Sequence, residues 1–478
     1  RRDDRDTGAC DRNAIAMQSQ CDCNTITWKV NSFMKNRLVS VLLVVMLLAG
    51  LIWVASSGYT LGLDDNSGAS LFAVGKTTIN LWYNDDSLTD YLNEVTVKYN
   101  ESQNTYRVEP ELKDGVDYLE TINSASVNND DDMPDIYIIS NDTLGKAALA
   151  GLSATVDDPD IFADNTVFPE TAVDAVTYNC EVVAYPFYFE TAALLYNTDY
   201  VEELPATILD IIDFANNYNA PETVSSVFNW DVGDIFYNYY FVGDQINVGG
   251  QYGDNVDDID IYNENAIKAL QVYQQLNQYF SIDTKNCGYS SVLSDFAAGK
   301  TVFTVATSDA VNLLSQYAAD GTFTGNYGVL QLPDITDSLT TRGLSVTNCM
   351  VVNGYSKEQT EANSFIRYAL LENSSDFFDR TGKPLAQSNV TYSDEHMNGF
   401  SDAYTDSRPI SKMRAASDFW MLLENSFAEV WDGANPNETL RTLDQQTMVQ
   451  ITGDDSYTVE SIADPEKIDI NAELTGGE

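Results

Sequence analysis

The chain runs to 478 residues, with 73 acidic against 25 basic side chains and a net charge of −48. A body this acidic repels nucleic acid and anionic lipid headgroups, so nucleic-acid partners are excluded. The length suits two to four folding units with sizeable cores, at an ordinary 44% hydrophobic content.

The first residue is Arg, so the natural start is expected elsewhere, and Met34-Lys35-Asn36-Arg37 reads as the start of a signal sequence. Residues 1–33 are then an upstream extension or a disordered cytoplasmic segment. Leu38 to Ala55 is an uncharged run of 18 residues, apolar but for Ser40, preceded by Lys35 and Arg37 and followed by small residues. This pattern marks 34–57 as a signal peptide or membrane anchor. Basic residues before the run and acidic ones after it put the large C-terminal body outside the cell. Residues 58–75 are rich in Gly, Ser and Asp and read as a linker.

From Thr77 the pattern is α/β. Thr78–Tyr83 predicts a strand, Leu88–Tyr99 a helix with one apolar side, Tyr106–Glu109 a strand, Tyr118–Val127 a helix and Ile136–Ile139 a buried strand. Val182–Tyr185 and Ala192–Tyr196 predict two further strands, and Ile208–Tyr218, Ala266–Phe280 and Val292–Ala298 predict helices. Val302–Ala306 reads as a strand, Val311–Ala319 as a helix, Val346–Val352 as a strand and Glu358–Leu371 as a helix. Ser417–Trp431 and Thr439–Ile451 are the late helices, and the acidic stretch 456–478 is expected to be disordered. Strands alternating with helices imply a mainly parallel sheet covered on both faces. About 380 residues of such pattern exceed one core, so two α/β lobes are expected.

Six stretches stand in a telling order: Thr78-Ile79-Asn80-Leu81-Trp82, Met133-Pro134-Asp135-Ile136, Val183-Ala184-Tyr185-Pro186 with Glu190 and Leu194–Asp199, Phe296–Thr301, Tyr327-Gly328-Val329 with Leu332-Pro333, and Phe419-Trp420. In that order they resemble the extracellular solute-binding proteins of ABC importers, in the maltose and oligosaccharide-binding group. The resemblance spans about residues 76–452 and implies a type II periplasmic-binding-protein-like fold. In it, 76–188 with 343–385 form the N-lobe, and 189–342 with 386–455 form the C-lobe. It implies a monomer without cofactor or catalysis, which captures a carbohydrate by closing its lobes and delivers it to the membrane subunits of an importer. Lipid-anchored members carry a Leu-Ala-Gly-Cys box, whereas here Leu48-Ala49-Gly50 precedes Leu51.

A sugar presents hydroxyls and flat C–H faces, so its site combines carboxylates or amides with aromatic rings. The resemblance nominates Asn84 and Asp86 after the first strand, Asp142 after the third, Glu190 in the crossing between lobes, and Trp420 as a stacking ring. Tyr188 and Phe236 are nominated as cleft aromatics by location. Plainer roles stay open beside these. Asp86 and Asp142 also suit helix N-caps, Glu190 suits an exposed hinge carboxylate, and Trp420, Tyr188 and Phe236 suit packing. Where close maltodextrin binders carry Trp, this chain has Ile139 and Asp309, and Ser87 replaces a Lys, so a shorter or differently linked sugar than a long glucan is expected. The same scaffold holding a peptide or polyamine is the alternative, because an acidic cleft suits a cation.

A secreted carbohydrate-active enzyme is the remaining reading, and little in the chain favours it. His396 is the only histidine, in a stretch that reads as a polar loop, so neither a His-based triad nor a two-His zinc motif arises. Gly299-Lys300-Thr301 mimics a phosphate loop, but Ser294 stands where its first Gly belongs. Asp130–Asp132 and Asp254–Asp260 lack the spacing of a calcium loop and read as solvated. Cys180, Cys287 and Cys349 lie in the body, so at least one is expected unpaired within the chain. Cys10, Cys21 and Cys23 precede the apolar run and lack the spacing of a metal site.

Overall fold

The structure, a computed structural model, describes residues 76–474. The apolar run 38–55, the linker 58–75 and Cys10, Cys21 and Cys23 lie outside the described residues.

The first half builds a parallel core. Strand β1 (Thr77–Tyr83) leads through a turn into helix α1 (Thr89–Ser102), which buries Tyr91, Leu92, Val95 and Tyr99. Strand β2 (Tyr106–Leu112) returns parallel to β1, in register from Thr77↔Tyr106 to Tyr83↔Leu112. Helix α2 (Tyr118–Asn128) and β3 (Ile136–Ser140) follow, then α3 (Asn141–Leu149) and α4 (Glu170–Val176). The sequence reading delimits neither short helix, although it allows Asp142 to cap one, because Asn141–Leu149 and Glu170–Val176 are too short for a clear apolar period. In β3, alternate side chains enter cores on both faces of the sheet. Ile136 and Ile138 join Ile79, Leu92 and Phe365, while Tyr137 and Ile139 join Trp82 and Leu144.

The chain crosses to the second half along β4 (Tyr185–Asn197), one continuous strand of 13 residues where the sequence predicts two. Glu190 and Thr191 break its apolar pattern, which is why it reads as a pair, but both residues stay in the ladder. The second half contains α5 (Ile208–Asn217), β5 (Ser226–Phe228), α6 (Ile235–Asn238), α7 (Tyr240–Gly243), α8 (Glu264–Phe280), α9 (Tyr289–Ala297), β6 (Thr301–Thr307), α10 (Asp309–Asp320) and β7 (Tyr327–Leu330). Strand β8 (Leu344–Val352) returns to the first half, followed by α11 (Gln359–Arg367) and α12 (Phe377–Thr381). Helix α13 (His396–Thr405), strand β9 (Arg408–Pro409), α14 (Phe419–Trp431), α15 (Pro436–Thr452) and α16 (Ile470–Leu474) complete the chain.

These strands form a nine-stranded sheet with path β2-β1-β3-β8-β4-β6-β5, β7 pairing with β4 and β9 with β8. The N-terminal part of β4 pairs antiparallel with β8, and its C-terminal part pairs with β6 and β7. On the second half, Leu194 belongs to the core with Phe228, Leu270, Tyr273, Val305 and Trp431, while Leu195 packs on the other face with Phe296, Ala306 and Phe400. One strand therefore joins two cores, and its midpoint lies between them.

Two expectations are corrected. The acidic stretch after residue 455 is not loose throughout. Asn437 Nδ2 donates to Asp464 Oδ1 at 2.7 Å, Gln275 Nε2 donates to the Ile468 carbonyl at 3.0 Å, and Ile470 is fully buried in the second core. The apolar residues of this stretch, among them Val459, Ile462, Ile468, Ile470 and Leu474, are scattered singly among acidic and polar ones, so a composition reading masks them. Burial of Ile470 nevertheless ties the segment down. His396 is not in a solvated loop but opens α13. Its ring stacks on Tyr327 at 3.8 Å and its Nε2 meets the Tyr327 carbonyl at 3.0 Å. In the acidic run 254–260, Asp257, Asp258 and Asp260 are exposed as read, while Asp254 accepts the Asn179 N–H at 2.6 Å. Cys180, Cys287 and Cys349 are all free.

Candidate functional site

Where β4 passes between the cores, Glu190 faces Val346 of β8 as a register partner. These two residues line both of two adjoining cavities, of about 670 and 590 Å³. They form the floor of a single open cleft with a different wall on each side.

The first-half wall is polar. It carries Asn84, Asp85, Asp86 and Asp114 beyond β1 and β2, Tyr188 from β4, and Lys383 after α12. The sequence there is local and simple. Asn84-Asp85-Asp86-Ser87 leaves the ladder, and Asp85 caps the following turn by accepting the Ser87 N–H at 3.0 Å. Burial alone raises the Asp85 pKa, but hydrogen bonds from Ser87 and Lys383 and the Lys383 charge hold it below the ordinary carboxylate range. Tyr188 is buried, its hydroxyl donates to Asp85 Oδ2 at 3.2 Å, and burial followed by the Asp85 charge pushes its phenol well up.

The second-half wall is aromatic and acidic. Phe236 and Tyr237 come from α6, Tyr289 from the start of α9, and Thr307 and Asp309 from the β6–α10 junction. Tyr237 and Tyr289 stack with centroids 5.2 Å apart at 10°. The Tyr289 hydroxyl donates to Asp309 Oδ1 at 2.8 Å, and the Thr307 hydroxyl also contacts Asp309. Asp231 accepts the Tyr289 N–H at 2.9 Å and so fixes the start of α9. Burial, then the Asp309 charge, pushes the Tyr289 phenol far up, so it remains a donor.

Glu190 stands exposed in the open cleft, and the described residues donate no hydrogen bond to its carboxylate. The flanking walls still remove enough water to raise its pKa. Lys383 opposes that shift, and Asp309 and Asp85 reinforce it. A carboxylate held this way is available to a ligand's donors.

Of the nominated residues, Asn84, Asp86, Tyr188, Glu190 and Phe236 meet in this cleft, whereas Asp142 and Trp420 line neither cavity. Asp142 lies in the first turn of α3 and accepts the Ser140 hydroxyl. Trp420 is half-buried, with its ring 5.6 Å from Tyr239 and 5.1 Å from Phe419. Asp85, Lys383, Tyr237 and Tyr289 are absent from the sequence nominations. The only sequence signal for Asp85 is its place beside Asp86 after β1, and Asp309 stands where close maltodextrin binders carry Trp. Nothing local marks Lys383 or Tyr289, which reach the cleft by tertiary packing.

A cleft floored by strands that run on from one α/β core to the next, with opposed walls of different chemistry, defines a binding protein of the two-lobe, periplasmic-binding-protein-like fold. Solved structures share this fold. A Staphylococcus aureus extracellular solute-binding protein in complex with maltose superposes with a TM-score of 0.68 at 19% identity, covering 79% of this chain and 97% of that one. The maltose-binding periplasmic protein of Listeria monocytogenes in complex with maltose gives 0.68 at 20%, covering 80% of this chain and all of that one. The profile of the bacterial extracellular solute-binding proteins matches residues 94–376, more than half of the chain, and the chain belongs to that family. A maltooligosaccharide ABC transporter solute-binding lipoprotein of Streptococcus pneumoniae is 22% identical over 89% of this chain and its own full length. A maltotriose-binding protein of Pyrococcus abyssi is 30% identical over 26% of each chain.

Proposed function

We propose that this chain captures a short oligosaccharide in the cleft, closes its lobes around it, and hands it to the membrane subunits of an ABC importer at the outer face of the cell membrane. The observation that carries this reading is the pairing of an aromatic wall, Phe236 with Tyr237 and Tyr289, against a polar one across the Glu190–Val346 floor. Rings suit the C–H faces of a sugar, and carboxylates suit its hydroxyls. The names of the relatives and the sugars in the solved complexes support the same class. The ligand-contacting set is Asn84, Asp86, Tyr188, Glu190 and Phe236, joined by Asp309 and Tyr289. The N-lobe comprises 76–188 with 343–385, and the C-lobe comprises 189–342 with 386 onward, now carried to residue 474. The chain acts as a monomer tethered through residues 34–57, and it binds without catalysing.

Lobe closure requires a ligand with higher affinity for the closed form. Titration calorimetry and small-angle scattering with maltose, maltotriose, other oligosaccharides, a peptide mixture and spermidine test this reading. A sugar that binds and lowers the radius of gyration is the expected result. Response to spermidine or peptide alone, or turnover of a bound sugar, overturns it.

A further inference from the structure

The residues lining the two cavities include one cation. Lys383 follows Gly382, whose φ of +69° is the left-handed conformation that turns the chain out of α12. Its Nζ lies 3.0 Å from Asp85 Oδ2 and 5.0 Å from the centroid of the Tyr188 ring. Asp85 is fully engaged. Its Oδ1 accepts from the Ser87 N–H at 3.0 Å and the Ser87 hydroxyl at 2.6 Å, and its Oδ2 accepts from Tyr188 and Lys383. The carboxylate thus acts as a bracket that fixes the ammonium from two other elements, β4 and the turn after β1.

An ammonium has three donors, and Asp85 uses one. The charged neighbours in the same cavity, Asp86, Asp114 and Glu190, can only accept when ionised. A sugar hydroxyl donates once and also accepts, so the carboxylates of this wall satisfy its hydrogens and not its lone pairs, for which Asn84 and Asn348 offer only neutral amide donors. Lys383 supplies the missing charged donor, and its field already reaches Glu190.

We infer that Lys383 is a ligand-contacting specificity residue, donating to one hydroxyl oxygen of a vicinal diol whose neighbouring hydroxyl donates to Glu190. This deepens the carbohydrate reading and rests on it. Holding the ammonium in place beforehand reduces the side-chain freedom lost on binding. Anchoring by Asp85 and Tyr188 makes those two positioning residues for it.

Calorimetry on the full chain tests the inference with maltose, maltotriose and maltotetraose, and with monodeoxy analogues of whichever binds most tightly. Lys383→Met is expected to weaken binding by about tenfold or more, as loss of a charged hydrogen bond does. Lys383→Arg, which keeps the charge, is expected to recover part of that loss, and Asp85→Asn to show a smaller one. One deoxy analogue is expected to lose affinity against the wild type but not against Lys383→Met, the non-additivity that marks a direct contact. Thermal unfolding of each variant separates this from a folding defect. Affinity within twofold for Lys383→Met, or purely additive losses with every analogue, overturns the role of Lys383 and leaves the carbohydrate reading standing. Absence of binding by the wild type to any of these sugars, with binding of spermidine instead, overturns both.

Discussion

Glu190 and Val346 are register partners on β4 and β8, and both face the cleft at the point where one strand passes from the first core to the second. A carboxylate at that position is constrained by two requirements. It remains in the ladder, because β4 continues through it, and its side chain points into space that both lobes wall. Close walls raise its pKa, yet no donor among the described residues saturates it.

Replacing Glu190 with Gln therefore separates binding from stability. A carboxyl whose folded pKa exceeds its unfolded one disfavours folding above that range, and the effect vanishes once pH falls below the unfolded value. Glu190→Gln is expected to raise the melting temperature of the free protein slightly at pH 7 and not at pH 4. Sugar affinity at pH 7 is expected to drop by about tenfold, the loss of a charged acceptor. Wild-type affinity is expected to fall as pH drops through the raised pKa. Unchanged affinity in the variant removes Glu190 from the contact set.

The stacked Tyr237–Tyr289 pair gives a second test. Tyr289→Ala removes a ring that faces the cavity and is expected to weaken sugar binding by about tenfold, since aromatic faces supply much contact area. Tyr289→Phe keeps the ring but drops the bond to Asp309, and affinity within about threefold is expected. If Phe is as damaging as Ala, the hydroxyl rather than the face is what the ligand needs.

Asp444 on α15 reports on the acidic body. Burial, aided by Asp260, raises its pKa to about 6. Its charge therefore opposes folding increasingly from about pH 4 to pH 6, and fully above that. After allowance for solvent screening at a half-buried site, Asp444→Asn is expected to add about 1 kcal/mol at pH 7. That corresponds to a rise of about 2 °C in melting temperature. At pH 3.5 the variant and wild type are expected to coincide. A gain that persists there shows a packing effect instead.

Ile470 tests whether the acidic tail belongs to the fold. It is fully buried against the second core, among residues that include Leu440 and Leu443 of α15. Ile470→Ala is expected to cost about 2–4 kcal/mol in urea unfolding. Truncation after residue 455 is expected to cost at least as much. A truncated protein as stable as the full chain shows that the contact contributes nothing.

What the sequence by itself determined is the periodic part of the molecule. Apolar alternation and helical spacing at Ile79, Leu92, Ile136, Leu270 and Val305 report local burial, which each residue's own neighbours specify. The strand ends that carry Asn84 and Asp86 were legible for the same reason, because polar residues directly after a buried strand stand at its rim. Tertiary structure decided what periodicity cannot encode. It made β4 one strand despite Glu190 and Thr191, because pairing with β8 up to Thr191 and with β6 from Ala192 outweighs two polar positions. It also brought Lys383 to Asp85 and Tyr289 to Asp309. Those contacts depend on how separate elements pack, and no local pattern of charge or hydropathy carries that information.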